Sequence, residues 1–245
     1  MPPATIVFDL DDTLVDTAPD LIATLNAVFA EQRVPLIAFD EARALIGGGV
    51  KALLEQGLRA QNVEFTPAAL DRLYGDYLER YAAQIADRSR PFPGLEAALD
   101  LLAKQGCRFA VCTNKLEWLS VHLLEALGLA RRFAAICGQD TFGIQKPDPE
   151  MLHRTVARAG GTLAHAVMVG DSAADIATAR AAGIPVVAVD FGYTETPVSL
   201  LGPDRVIGHF DALPSAVAEL LAAPSGDLPS SADTLTAVAR QPPPS

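Results

Sequence analysis

Asp9 and Asp11 stand two residues apart at the end of the apolar run Ile6, Val7 and Phe8, with Asp12 and Thr13 close behind. Side chains alternate along an extended segment, so Asp9 and Asp11 can face one way while Leu10 packs the other. Two carboxylates that close repel, and a cation is expected between them. The plainer alternative is a strand followed by an acidic turn. Four further groups sit at matching places: Thr113 after the run 108–112, Asp171 after 166–170, Asp175 four residues later, and Lys146 in a proline-rich loop ahead of Asp148. Each has a plain reading too. Thr113-Asn114-Lys115 could cap a helix, Lys146 could be a solvated loop lysine, and Asp171 with Asp175 could be acids of a helix's first turn.

The elements around these residues decide between the readings. From about residue 92, strand-like runs (108–112, 134–138, 166–170, 186–190) alternate with helix-like ones (94–105, 115–128, 148–160, 173–182). Gly106, Gly128, Gly160 and Gly183 stand where those helices should stop. The strands are almost wholly apolar, as expected of a parallel sheet covered on both faces. The pattern is that of an α/β fold, and strand 5–8 should join the same sheet. In an open parallel sheet, ligands bind outside the carboxyl ends of the strands. Asp9, Thr113, Lys146 and Asp171 would therefore converge on one crevice.

Residues 17–88 break the rhythm. Leu21, Leu25 and Val28 trace one helical stripe, and Leu70, Leu73, Tyr74, Tyr77, Leu78, Tyr81 and Ile85 a longer one. The expected organisation is an α/β core formed by 1–16 and 89–223, a helical cap at 17–88, and hinges near 15–18 and 88–93. A Pro/Ser/Ala/Thr-rich tail at 224–245 is expected to be disordered.

The chain has 245 residues, half of them hydrophobic, which is enough for one large core or two modest ones. A net charge of −11 argues against nucleic acid or an anionic membrane as the main partner. Residues 1–4 run straight into the first strand, so no signal peptide is expected, and no apolar run reaches the roughly 20 residues that span a bilayer. Cys107, Cys112 and Cys137 lack metal-like spacing and read as reduced core residues. A cytoplasmic location follows as the expectation, with the chain a monomer or homodimer. His122, His153, His165 and His209 show no mutual metal spacing, and Trp118 reads as a helix-packing residue.

Taken in order, Asp9-Leu10-Asp11-Asp12-Thr13, Thr113-Asn114-Lys115, Lys146-Pro147-Asp148-Pro149 and Gly170-Asp171-Ser172-Ala173-Ala174-Asp175 resemble the four motifs of the haloacid dehalogenase superfamily. The likeness covers about 5–222 and is strongest to helical-capped phosphatases of the phosphoglycolate phosphatase kind. It implies a Rossmann-like parallel sheet flanked by helices, with an inserted all-helical cap. Asp12 stands where such phosphatases usually carry glycine.

The resemblance also implies roles. Asp9 is the nucleophile that forms an aspartyl-phosphate, and Asp11 protonates the leaving alcohol and then deprotonates the attacking water. Crowding among like charges helps the first of those tasks. Thr113 donates to a phosphoryl oxygen, Lys146 bridges that oxygen and Asp9, and Asn114 contacts substrate. Five acids beside one obvious lysine would resist an incoming phosphate without a dication, and hard oxygen ligands suit Mg²⁺. Asp9, Asp171 and the backbone carbonyl of Asp11 are its expected ligands, with Asp175 orienting them.

In the cap, Gly47, Gly48 and Gly49 precede a helical run and expose backbone N–H groups. With Arg43 or Lys51 they are expected to contact the leaving group. The implied activity is hydrolysis of a small phosphorylated metabolite, with phosphoglycolate preferred. The second acid, Asp11, separates the chain from dehalogenases and phosphonate-cleaving relatives. Sugar-phosphate mutases of the β-phosphoglucomutase kind and nucleotide or sugar phosphatases stay open. Intact acids weigh against a non-catalytic binding protein.

Overall fold

A computed structural model of the chain describes residues 3–194 and 196–222. The expected tail at 224–245 lies outside the described residues. The main sheet has six strands in the order β5-β4-β1-β6-β7-β8, every neighbouring pair parallel. They are β1 (Thr5–Phe8), β4 (Arg108–Cys112), β5 (Ala135–Cys137), β6 (Ala166–Gly170), β7 (Val186–Val189) and β8 (Arg205–Ile207). β1 lies between β4 and β6, with Phe8 opposite both Val111 and Val169, so Asp9, Cys112 and Gly170 end level with one another. β1, β6 and β7 are buried along their whole length. Each fully buried Val, Ile or Phe contributes about 1.5–3 kcal/mol, which explains the unbroken apolar runs.

Helices α5 (Leu95–Lys104), α6 (Glu117–Ala126), α7 (Pro149–Arg158), α8 (Ala173–Ala181) and α9 (Leu213–Ala222) cover the sheet in two separate apolar layers. Two of them start at site loops and are fixed there by caps. Asp148 accepts from Glu150 N ahead of Pro149 at the start of α7. Ser172 and Asp175 form a reciprocal capping box on α8. The second device turns Asp175 inward at the same time as it begins the helix.

Four helices are inserted after β1: α1 (Ala18–Glu31), α2 (Phe39–Arg43), α3 (Val50–Ala60) and α4 (Pro67–Ala83). They lie between two short antiparallel strands, β2 (Val15–Asp16) and β3 (Arg90–Pro91), which fasten both crossings together. The helical stripes turn inward: Leu21, Leu25 and Val28 of α1 and Leu70, Leu73, Tyr77 and Tyr81 of α4 are buried, in one apolar cluster continuous with Phe8 and Leu10. The Tyr77 hydroxyl donates to Leu21 O at 3.0 Å. Asp20, buried, accepts from Arg88 N, Ser89 N and the Ser89 hydroxyl, which ties α1 to the returning chain.

Trp118 departs from its expected packing role: it is 48% exposed, because the inward face of α6 is taken by Leu119, Leu123 and Leu124. Cys112 and Cys137 are buried and Cys107 half-buried, all as free thiols. Burial pushes the Cys112 thiol up to about 12, so it behaves as a core group. Among the described residues no helix is long and apolar enough to cross a membrane.

Candidate active site

A cavity opens where the carboxyl ends of β1, β4 and β6 meet the insertion. Asp9, Asp11, Thr113 and Asp171 line its floor, and Leu21, Ile46, Gly47, Gly49, Val50 and Leu53 its roof. Polar chemistry below and apolar surface above would isolate a small ligand from water.

The floor is an alternating array of charges. Lys146 Nζ lies 2.8 Å from Asp9 Oδ1 and 2.6 Å from Asp175 Oδ1, with all three residues buried. Asp175 also accepts from Ser172 N and the Ser172 hydroxyl, so its carboxylate is fully engaged as an anchor for Lys146. Burial pushes the Asp9 carboxyl up to about 6, partly opposed by Lys146 and reinforced by Asp175. Asp171 is raised well above the usual carboxylate range by burial, then by Asp175 and Asp9, with the Thr13 hydrogen bond acting the other way. Burial works against the charge on Lys146, and the Asp175 and Asp9 carboxylates more than offset it, so the ammonium is held above its ordinary range.

Oxygens of Asp9, Asp171 and Asp175 lie within 4.8 Å of one another. The donors are all hard carboxylate oxygens, two of the acids are raised by burial and then by their acidic neighbours, and one lysine cannot neutralise them. This arrangement fits a divalent cation such as Mg²⁺. Asp175 is the poorest ligand of the three because Lys146 and Ser172 already occupy it. The turn after β7 is pressed against the cluster, since a Cβ on Gly192 would stand 2.6 Å from Asp171 Oδ2.

The residues expected from the sequence do not all meet the ligand space in the same way. Asp9, Asp11, Thr113, Asn114 and Asp171 line the cavity, and Lys146 lies directly beneath it. The Thr113 hydroxyl accepts from Lys115 N at 3.2 Å, which leaves its proton to donate into the cavity. Asn114 is turned toward the protein: its side chain accepts from Lys146 N at 2.8 Å and donates to Lys146 O at 3.2 Å. It clamps the lysine loop, since a buried amide must find partners.

In the roof, Gly47 and Gly49 face the cavity, while Gly48 turns toward Ala52. Gly49 has φ +83° and would bring a Cβ within 3.3 Å of Asn114 O, so a side chain is strained there twice over. Lys51 is not in the cavity. It pairs in solvent with Asp71 at 2.7 Å, because the first turn of α3 directs it toward α4. The Arg43 guanidinium is stacked 3.2 Å from the ring centroid of Tyr193, which itself lines the cavity, so Arg43 stands one layer behind the wall.

Two further residues, Lys115 and Thr13, carry no role in the sequence reading. Lys115 Nζ, its side chain 2% exposed, binds Asp11 Oδ1 at 2.9 Å and Oδ2 at 3.2 Å, and donates to the Tyr81 hydroxyl at 3.0 Å. Thr13 donates to Asp171. The one available signal for Lys115 is a cation two residues after Thr113, just beyond the carboxyl end of a central strand. Asp12 has φ +61°, the left-handed region that favours glycine and that a short polar side chain tolerates. This accounts for glycine being usual at that place.

Comparison with known proteins gives one consistent result. Residues 6–189 match the family model described as haloacid dehalogenase-like hydrolase. A phosphoglycolate phosphatase of Mesorhizobium japonicum is 50% identical over 90% of this chain and 97% of its own length. One from Caulobacter vibrioides is 45% identical over 89% and 92%. Among solved structures, a predicted phosphoglycolate phosphatase from Haemophilus somnus superposes with a TM-score of 0.81 at 27% identity, covering 87% of this chain and 97% of that one.

Proposed function

Because the chain belongs to the haloacid dehalogenase-like hydrolases, we propose that it hydrolyses 2-phosphoglycolate to glycolate and phosphate through an aspartyl-phosphate on Asp9. It is a phosphoric monoester hydrolase acting on a small phosphorylated metabolite. The observation that carries the mechanism is the Asp9 carboxylate held 2.8 Å from Lys146 on a cavity floor that Thr113 and Asp171 share. The choice of substrate is supported by the near-full-length likeness to the Mesorhizobium and Caulobacter enzymes.

An Asp9 oxygen attacks phosphorus in line, the bond from phosphorus to the leaving oxygen breaks, and that oxygen takes a proton from Asp11. Water then attacks the phosphorus of the aspartyl-phosphate and gives its proton to Asp11. The bond from phosphorus to Asp9 breaks, which releases phosphate and restores the carboxylate. The Thr113 hydroxyl donates to a phosphoryl oxygen, and Lys146, steadied by Asp175 and by the Asn114 clamp, offsets negative charge as it spreads over those oxygens. Asp9 and Asp171, with the Asp11 carbonyl, would hold a Mg²⁺ ion, which supplies charge neutralisation to the phosphoryl group.

Residues 17–88 act as a cap over the core formed by 1–16 and 89–223, moving about the two crossings that β2 and β3 fasten. Closure excludes bulk water from the acyl phosphate and sets an upper limit on the size of the leaving group. The free thiols of Cys107, Cys112 and Cys137 support a cytoplasmic location.

The test is phosphate release over a panel of small monoesters with Mg²⁺ or with EDTA. The expected result is the highest kcat/KM on 2-phosphoglycolate, loss in EDTA, and no turnover by Asp9→Asn. A preference for a hexose phosphate with isomerised product overturns the substrate choice, and full activity of Asp9→Asn overturns the intermediate.

A further inference from the structure

Lys115 binds Asp11, a carboxylate of the floor that Lys146 does not touch, and donates at the same time to the Tyr81 hydroxyl. Asp11 belongs to the tight turn after β1, where Asp12 N donates to Val15 O at 2.8 Å. Lys115 belongs to the loop after β4, and Tyr81 is on the last full turn of α4 in the insertion. Three segments of the chain, 34 and 104 residues apart, are therefore joined at one ammonium. Lys115 and Tyr81 are both buried, and the ammonium also stands 4.5 Å from the Tyr81 ring centroid. Tyr81 is held in turn by stacking on Tyr77, with ring centroids 5.9 Å apart.

A solvent-exposed aspartate samples several rotamers. A carboxylate gripped through both oxygens by a buried ammonium has one. The grip is the more directional because Lys115 is itself fixed by Tyr81, and it costs little further entropy once the insertion is in place. Asp9 and Asp175 have Lys146 for the same purpose, so the site contains two buried lysines with separate partners.

We propose that Lys115 is the positioning residue for Asp11 and that Tyr81 makes this positioning depend on the helical insertion being seated on the core. The proposal rests on the reading of Asp11 as proton donor to the leaving group. In the seated arrangement both Asp11 oxygens are held by Lys115 at the wall of the cavity that would enclose the leaving group. When α4 withdraws, Lys115 loses one of its two partners and Asp11 its fixed direction. Proton transfer would then be efficient only with substrate enclosed.

Leaving groups separate this role from a merely structural one. kcat/KM reports the steps up to departure of the leaving group, and dinitrophenolate leaves without needing a proton. The experiment measures kcat/KM on 2-phosphoglycolate and on 2,4-dinitrophenyl phosphate for wild type, Lys115→Met, Tyr81→Phe and Asp11→Asn. Lys115→Met is expected to lose about 100-fold on phosphoglycolate, the scale of general acid catalysis, and under about threefold on the dinitrophenyl ester. Tyr81→Phe keeps the ring and its packing, and is expected to show the same selective loss at about fivefold, the scale of one hydrogen bond. Equal losses on both esters, or none on phosphoglycolate, overturn the proposal. Asp11→Asn distinguishes the two levels. Selective loss there with none in the Lys115 and Tyr81 variants overturns the positioning role alone, whereas indiscriminate loss in Asp11→Asn overturns the proton-donor reading beneath it.

Discussion

The Thr13 hydroxyl donates to Asp171 Oδ1 at 2.8 Å, joining the turn after β1 to the end of β6 across 158 residues of sequence. Both groups are buried. The bond fixes which Asp171 oxygen remains for a ligand, and together with Lys146 it favours the ionised carboxylate.

Thr13→Val keeps the shape and removes the donor. A hydrogen bond to a charged group contributes about 1.5–3 kcal/mol. The Mg²⁺ concentration for half-maximal activity is therefore expected to rise roughly tenfold or more, with kcat at saturating metal changed much less. Titration of activity with Mg²⁺ checks this, and an unaltered midpoint would remove Thr13 from the metal-site support.

Lys146 is the only cation within contact of the Asp9–Asp175 pair among the described ion pairs. Lys146→Met leaves two buried carboxylates facing each other. Removing one partner of a buried pair costs about 3–5 kcal/mol, so urea unfolding in EDTA at neutral pH should show a loss of that size. Turnover should fall by about 100-fold or more, since Lys146 also stands where charge develops. A variant of wild-type stability would mean that the carboxylates find another counter-charge.

Stability should depend on pH with an unusual sign when metal is withheld. The Asp9 carboxyl lies at about 6 in the folded chain against 3.8 as its ordinary value, so between those limits the native state binds the extra proton. Stability from this group is present at low pH and is lost as pH rises through about 6, by about 3 kcal/mol in total. Asp12 and Asp171 are shifted in the same direction, both mainly by burial, and add to the loss. A dication stabilises the ionised carboxylates, so Mg²⁺ should protect the protein much more at about pH 7 than at about pH 4.5. Urea midpoints in EDTA and in Mg²⁺ at both values test this, and equal protection at the two would contradict it.

The sequence discloses most where burial leaves one pattern possible. β1, β4 and β6 were readable because both faces are covered, and their carboxyl ends therefore located Asp9, Thr113 and Asp171. β8 escaped notice because Arg205 and Val206 are exposed and only Ile207 faces the core. The ribbon of β2 and β3 is two residues long and carries no period at all. Among site residues, Asn114 and Lys51 have side chains suited to a ligand, yet both are taken by protein partners, Lys146 and Asp71, whose proximity is a matter of tertiary packing. The same reason hides the Asp11–Lys115–Tyr81 contact: each member is ordinary in its own segment, and only the fold brings them together.

Asp20 makes a prediction about the crossings between insertion and core. It is buried in the first turn of α1, with no cation beside it among the described ion pairs, and its charge is met by two N–H groups and a hydroxyl from Arg88 and Ser89. The position near the helix N-terminus adds a favourable dipole. Asp20→Ala would leave those three donors without an acceptor, the two of Ser89 buried, and the expected loss is about 3 kcal/mol. Asp20→Asn keeps one oxygen able to accept and should lose about half as much. Because β2 and β3 are too short to hold the crossing alone, the alanine variant should also raise KM more than it lowers kcat, as an insertion less firmly seated binds substrate less well before chemistry begins. Urea unfolding together with steady-state kinetics on the two variants decides the matter. Losses below about 1 kcal/mol in Asp20→Ala would show that water replaces the carboxylate, and that the crossing is held by the apolar contacts of α1 with α4.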